Sequence, residues 1–461
     1  MAPEAKMDPV TKAKTNGCAV LGLGVSGTAA AEYLLSRGVT SLFLCDKNPE
    51  KARDPAVTEL VKQGAIPHFG DAWLCGLPAG LIVRSPGIRP DLPSLQTARA
   101  AGATVTGEVG LFLEKSPARI FAVTGSSGKS TVTSLVSAIF QAAGRDVFAG
   151  GNLGASLLPA LPRMTKESVA VLELSSFQLM DLSPEPERAA ILNLTENHLN
   201  WHTGMAEYRA AKERILGQNT VGVLPAFDPA LRTLAKGRRG SRLFSPEPPL
   251  SGEREPDEVW YVPEGGIVSA YSDAGVRRLF PVERLHLPGT HNLLNLLAAV
   301  ALTDGTVPTE AIETAVESFR GIPHRMETVP GPCGVRCIDS SIDTTPERTR
   351  ATLEALAPVS PILLLGGAGK GLSYKPLCEP AGRAKGVILF GRDAPLIAAA
   401  LDEERIAYRL IPAFDDAVNA ALATAEPGDT VLLSPACTGY DAFRNFAERG
   451  DRFRALCRAA R

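Results

Sequence analysis

Val123-Thr124-Gly125-Ser126-Ser127-Gly128-Lys129-Ser130-Thr131 follows the apolar run Ile120–Ala122 and opens a helical pattern. A strand that turns through small residues into a helix is the setting of a phosphate cradle, because consecutive backbone N–H groups and the positive helix end both attract anionic oxygens. Lys129 is placed to neutralise β- and γ-phosphates, and the Ser130 hydroxyl to reach Mg²⁺. The stretch is not the full GxxxxGK[ST] pattern, since Val123 stands five before Gly128. The competing reading is a chance glycine turn. Gly125, Ser126, Ser127, Gly128, Lys129, Ser130 and Thr131 are the candidate ATP contacts.

On the N-terminal side, CAVLGLG, VSGTAAAEYLLSRG and VTSLFLCD read as strand, helix closed by Gly38, and strand, a βαβ unit. LIVRSPG at 81–87 is a further strand ending in a turn of small residues. On the C-terminal side, VAVLEL and AAILNL continue the pattern, and PILLLGG, GVILFG and TVLLSPA start a third α/β set after the GIPHR turn. Residues 237–258, rich in Pro, Gly and charge, are expected as a surface excursion. The expected fold is α/β with parallel, helix-covered sheets in three domains: Rossmann-like 1–107, a central P-loop-like 108–321, and Rossmann-like 322–461.

Bulk composition narrows the partners. Lys+Arg 48 against Asp+Glu 50 gives a net charge of −2, with both signs interspersed. That provides no footprint for nucleic acid or an anionic membrane, so small molecules are expected. Eight cysteines without CxxC pairing read as free thiols of a reducing compartment. The first sixteen residues lack the apolar core of a secretory signal and are expected as a frayed arm, and no run approaches a membrane span. A cytoplasmic location is the expectation.

Several strand ends carry polar groups with more than one reading. Gly22-Leu-Gly24-Val25-Ser26-Gly27, followed by Asp46, has dinucleotide spacing, compatible with NAD, another nucleotide or tight strand-to-helix packing. Glu173 ends VAVLEL before Ser175, Ser176 and Gln178, and is either a Mg²⁺-holding carboxylate or a cap. His198 in Asn193-Leu-Thr195-Glu196-Asn197-His198 is structural or a ligand. Lys212, flanked by alanines in AEYRAAKERIL, reads on residue chemistry as a solvated face. His291, Asn292 and Asn295 at the start of an apolar helix are caps or nucleotide contacts. Gly366–Lys370 offers amides and a cation to a carboxylate or phosphate.

Taken in order, GLGVSG, VTGSSGKST, GGNLG, LELSSFQL, LNLTENHLNWH, YRAAK, LPGTHNLLN, GIPHR and LLSPACTGYDAFRNFAERG resemble the Mur ligases across nearly the whole chain. The resemblance implies a UDP-substrate-binding first domain, a central ATPase domain and a C-terminal glutamate-binding domain. It further implies ATP-dependent ligation of glutamate, in the D form, to UDP-N-acetylmuramoyl-L-alanine through an acyl phosphate in peptidoglycan synthesis. By the same resemblance, Lys129, Glu173, His198 and Lys212 are catalytic, with Lys212 carbamylated and Ser130, Glu173, His198 and Lys212 around Mg²⁺. Asn292, Asn295 and Arg325 serve ATP. Gly24, Val25, Ser26, Asp46, Ser85, Gly87, Asn152, Ser175 and Gln178 serve the UDP-substrate, and Thr344, Lys370 and Phe446 the glutamate. A monomer is expected.

The chain departs from the family pattern in places. Where members read NDSKATN, it reads Asp339-Ser340-Ser341-Ile342-Asp343-Thr344-Thr345, so an aspartate is replaced by Ser340 and a lysine by Ile342. Gly439 stands for a serine and Asn200 for an aspartate. The same ligation with L-glutamate, a folate-type ligase, and a non-catalytic nucleotide-binding regulator are the alternatives.

Overall fold

Short runs of apolar residues ending in glycine-rich turns form parallel strands, and the intervening stretches form helices that cover them. The computed structural model describes residues 8–78, 80–153, 156–198, 201–287, 289–369 and 371–460. The chain forms two compact units, Met1–Phe319 and Arg320–Arg461.

The first unit contains two sheets. In the smaller, Ile66–Phe69, Leu42–Asp46, Cys18–Leu21, Leu81–Arg84 and Thr104–Thr106 lie side by side, all parallel. Cys18–Leu21 and Leu81–Arg84 are buried along their whole length, as helix-covered central strands must be. The turn after Cys18–Leu21 requires its glycines. Gly22 has φ +80°, and a Cβ on Gly27 would stand 2.0 Å from the Gly22 carbonyl oxygen. Helix Val25–Ser36 therefore packs backbone to backbone on the strand end.

The larger sheet runs, edge to edge, Gly275–Pro281, Ile267–Ser272, Val259–Glu264, Arg242–Phe244, Val221–Pro225, Arg188–Ile191, Arg119–Thr124, Val169–Glu173 and Val147–Gly151. It is parallel from Val147–Gly151 through Val259–Glu264 and ends in an antiparallel hairpin. Register sets the site. Val123 pairs with Glu173, Thr124 with Ile191, and Gly151 with Glu173, so neighbouring strands finish together. Helix Lys129–Ala142 buries Val132, Val136, Ile139 and Phe140, and helix Thr290–Thr303 packs on it with a nearly continuous apolar body.

The second unit has one sheet, ordered Glu327–Pro330, Arg336–Asp339, Thr430–Leu433, Ile362–Gly366, Gly386–Phe390 and Arg409–Leu410, parallel except at the first pair. Each unit has its own buried cores. Among the described residues no helix is long and apolar enough to cross a membrane.

Two local expectations are corrected. Residues 8–16 are not a frayed arm: Asp8 caps helix Pro9–Asn16, whose Pro9, Val10 and Ala13 are buried, while residues 1–7 lie outside the described residues. Within 237–258, Arg242–Phe244 joins the larger sheet as a parallel strand. Only Leu243 and Phe244 carry its burial, a signal too short to stand out from charged and proline-rich surroundings.

The glycine turn gives a contrast that thermal denaturation can read. Gly27→Ala meets backbone and is expected to destabilise by about 1–3 kcal/mol, whereas Gly24→Ala, with nothing within 4 Å of its Cβ, is expected to leave the melting temperature unchanged.

Candidate active site

The ends of Arg119–Thr124, Val169–Glu173 and Arg188–Ile191 form one ledge, where ligands settle in open α/β sheets. The phosphate loop leaves the first strand and is sewn to the segment leaving the third. Ser126 N donates to Asn193 O (3.0 Å), Ser127 N to Asn193 Oδ1 (2.9 Å), and Thr195 N to Ser126 Oγ (2.9 Å). Ser126 Oγ also meets the Tyr208 hydroxyl at 2.8 Å. The Ser126 and Ser127 amides are thus engaged within the chain. The N–H groups of the first turn of Lys129–Ala142 have no acceptor within the helix. Gly128 enters that helix at φ +80°, and Asn295 Oδ1 lies 2.4 Å from where a Gly128 Cβ would be. Ser130 and Thr131 are half-buried in the first turn.

Two cations converge behind the loop. Lys129 Nζ donates to Gly125 O (3.0 Å) and Ser126 O (3.1 Å), and Lys212 Nζ donates to the same Gly125 O (2.9 Å) and to Thr124 Oγ1 (3.2 Å). Lys212 is 2% exposed and lies over the Tyr208 ring, so the solvated-face reading is overturned. Its helix, Met205–Glu213, turns Tyr208, Ala211 and Lys212 inward. Burial, reinforced by the Lys129 charge and opposed by Glu173, lowers the Lys212 ammonium from 10.5 to about 7. A lysine so placed holds a substantial neutral fraction near pH 7, and the neutral amine is the form that attacks CO₂.

Glu173 is 3% exposed. Its Oε1 accepts from Asn152 Nδ2 at 2.8 Å, while Oε2 is buried without a hydrogen-bond partner. A buried carboxylate oxygen left unsatisfied beside cationic groups fits a divalent cation in need of oxygen ligands. His198 sits at the mouth in a left-handed conformation, φ +56°, its ring 4.9 Å from Phe177. Desolvation first, then Lys129, Lys212 and His202, push its pKa down, keeping the neutral imidazole that can ligate a metal.

The first-sheet residues gather at the ends of Cys18–Leu21, Leu42–Asp46 and Leu81–Arg84. Asp46 accepts from Leu23 N (2.8 Å) and Asn48 N (2.9 Å), and Ser85 Oγ donates to Gly22 O (2.6 Å). Val25 is exposed, while Gly24 heads the helix. Gly87 O accepts from Trp201 Nε1 at 3.1 Å, which joins this turn to the His198 segment. Ser26, Arg84, Gly107 and Gln178 line one small cleft. Ser175 and Gln178 form a reciprocal capping box on helix Ser176–Leu179, so both side chains hold their own helix start.

Of the nucleotide expectations, Gly289 is the N-cap of helix Thr290–Thr303, and His291 and Asn292 lie inside its first turn. Asn292 is half-buried in its first turn and Asn295 is buried against the phosphate loop. In the second unit, exposed Arg325 follows His324, whose Nδ1 faces Asp339 Oδ2 at 2.7 Å. Arg454 reaches Glu327 Oε1 at 2.9 Å and His324 Nε2 at 3.3 Å, so this His–Asp–Glu cluster is filled by a guanidinium. Phe446 begins helix Phe446–Ala459, its ring edge-on to His324, and Ser341 Oγ donates to its carbonyl. Thr344 is half-buried in the neighbouring turn. Ser340 is fully buried, its Oγ accepting from Met326 N, and Gly439 sits on Phe443 and Asn445. Lys370 and Asn200 lie outside the described residues.

The chain also matches known proteins along its length. The family profiles described as Mur ligase MurD-like, N-terminal domain; Mur ligase middle domain; and Mur ligase, glutamate ligase domain match residues 16–107, 123–303 and 324–437. The chain is 37% identical over 450 residues to a UDP-N-acetylmuramoylalanine–D-glutamate ligase of Symbiobacterium thermophilum, covering 96% of this chain and 97% of that protein.

The chain belongs to the Mur ligase family.

A protein of the same name from Paraburkholderia phymatum is 36% identical, with coverage of 95% and 94%. Among solved structures, the UDP-N-acetylmuramate-alanine ligase of Thermotoga maritima superposes with TM-score 0.51 at 19% identity, covering 96% of this chain and 99% of that one. MurF from Acinetobacter baumannii gives TM-score 0.51 at 17% identity, with 98% of each chain covered. These two likenesses concern the Mur ligase fold alone. Sequence reading gave no role to Asn193 or Tyr208, which shape the loop through contacts with residues far along the chain.

Lys212 has a measurable signature. Above pH 10.5 it is neutral folded or unfolded; between 10.5 and about 7 the unfolded chain takes up a proton that the folded chain does not. The folding penalty therefore grows as pH falls, reaching at most about 5 kcal/mol below pH 7. In CO₂-free buffer, Lys212→Met should melt several degrees above wild type at pH 7, the gain shrinking as pH rises toward 10.5.

Proposed function

We propose that this Mur ligase is an ATP-dependent amide ligase that adds D-glutamate to UDP-N-acetylmuramoyl-L-alanine. The observation that carries the reading is the convergence of Lys129 and Lys212 on the Gly125 carbonyl beside Glu173, whose Oε2 is buried and unsatisfied. Phosphoryl transfer needs positive charge and oriented amides rather than covalent help from the protein, and this ledge supplies both. The names carried by the relatives supply the acceptor and amino acid.

In this reading the L-alanyl carboxylate attacks the γ-phosphorus, ADP leaves, and the amine of D-glutamate displaces phosphate from the acyl phosphate to form the amide. The helix-turn amides and Lys129 hold the phosphates through the transfer. Asn292, Asn295 and Arg325 bear on the nucleotide. Glu173 and His198, with Ser130 and Lys212, would hold Mg²⁺, which when bound offsets charge on the phosphate oxygens. Carbamylation of Lys212 replaces a second ammonium next to Lys129 with an oxygen-bearing anion. Burial first and the Lys129 charge second lower the Lys212 pKa, and the carbamate removes that repulsion while adding a hard donor. The turns at Gly24–Ser26, Asp46 and Ser85–Gly87 receive the UDP part, with Asn152, Ser175 and Gln178 on the sugar side. Thr344, Lys370 and Phe446 receive glutamate. The enzyme acts in the cytoplasm, consistent with eight free cysteines.

Phosphate release measured with ATP, the UDP-sugar-alanine and each glutamate enantiomer tests the reading. Release is expected to require the acceptor and D-glutamate. Release independent of both acceptors removes the ligase, and preference for L-glutamate corrects the stereochemistry at a pocket that contains Gly439 and lacks a lysine at Ile342. Lys212→Ala is expected to lose activity by at least about 100-fold and to recover part of it with added acetate or formate. An unimpaired variant removes the carbamate.

A further inference from the structure

A polar chain joins the Ser85–Gly87 turn to the segment that carries His198, through residues given no role so far. Arg89 follows that turn and forks onto Glu207, Nη2 to Oε1 at 2.8 Å and Nη1 to Oε2 at 3.3 Å, while Nη1 also donates to Trp201 O at 2.6 Å. Its guanidinium lies 4.9 Å from the Trp201 ring centroid. Glu207 Oε2 accepts from Thr203 N and faces His202 Nδ1, each at 3.0 Å. His202 Nε2 faces Ser176 Oγ at 2.9 Å. His202 is 3% exposed, so both ring nitrogens need partners, and both have them. The ionised carboxylate only accepts, which assigns the proton to Nδ1 and leaves Nε2 to accept from the serine.

This chain ends on His198. The His202 and Trp201 amides both donate to the His198 carbonyl at 3.0 Å, and Phe177 stands against all three rings, at 4.9 Å from His198, 4.4 Å from Trp201 and 5.6 Å from His202. A non-glycine residue at φ +56° persists only where its surroundings over-determine it. Here the surroundings are the anchored His202, the clamped Trp201 and the aromatic floor. Packing alone would satisfy a buried histidine without a doubly held arginine–glutamate fork on its far side.

We propose that Arg89, Glu207 and His202 are positioning residues that fix His198 in its left-handed conformation and lock it to the Ser85–Gly87 turn. The UDP-sugar held at the turn and the group at the phosphate site are thereby placed as one body. The inference rests on the ligase reading of the site, and its test separates the two.

Glu207→Gln and Arg89→Gln are made alone and together with His198→Ala, in the full chain. Each single variant is expected to lower kcat by about tenfold with the KM for ATP within about threefold of wild type. In the His198→Ala background either change should cost less than about twofold, because the residue it acts through is gone. A second tenfold loss in that background overturns the inference, as does an unchanged kcat. Should Glu207→Gln fail to fold, Arg89→Lys, which keeps the charge but not the fork, takes its place with the same expectation. A readout free of catalysis accompanies these. The chain has six histidines, so the His198 ring resonance is assignable from its absence in His198→Ala. It should shift in Glu207→Gln and Arg89→Gln, and an unmoved resonance overturns the positioning role even if the wild type ligates nothing, an outcome that would instead remove the ligase.

Discussion

One carbonyl oxygen organises the centre of this molecule. Gly125 O accepts from both Lys129 and Lys212, so two ammonium groups share a single acceptor at the end of a buried strand. Like charges this close are tolerable only if one is discharged or if anions arrive. The fold meets that condition in two ways: burial drives Lys212 toward its neutral form, and Glu173 lies near enough to oppose the shift. Everything around the pair follows from keeping it in place. The strand register aligns Thr124, Glu173 and Ile191, Asn193 fastens the loop, and Asn295 closes on Gly128.

Much of this was legible in the residues. The small-residue turn after an apolar run marked a strand-to-helix turn, and the helix does begin at Lys129. The first βαβ unit and the third set of strands also fall where alternation of apolar runs and turns put them. What the sequence hid has physical causes. Lys212 sits on a helix with charged neighbours, and only the tertiary placement of Tyr208 beneath it turns that face inward. Asn193 acts on the Ser126 and Ser127 backbone, which carries no sequence signature of being contacted. Arg89 and Glu207 are ordinary surface residue types until the fold sets them opposite one another.

The second unit shows how replaced residues find structural employment. Ser340 and Ser341, in the segment that departs from the family pattern, are buried, and Ser341 bonds both Phe446 O and Arg449 Nε. Asp343 accepts from Thr352 and Ser434 at 2.7 Å each. The turn carrying Thr344 is therefore held by its own hydroxyl and carboxylate groups, and a lysine at position 342 is not needed to shape it. Next to it, Arg454 links Glu327 and His324 under the turn that presents Arg325.

The stitching of the phosphate loop to Asn193 and Thr195 has a thermodynamic consequence. A glycine- and serine-rich segment would lose more conformational entropy than most on closing around a nucleotide. Here the fold itself supplies that ordering, since Ser126 and Ser127 are tied to Asn193 and Thr195 by hydrogen bonds within the chain. On the proposed function, nucleotide capture at this loop resembles docking into a rigid mould, with affinity governed by desolvation and charge rather than by ordering of the chain.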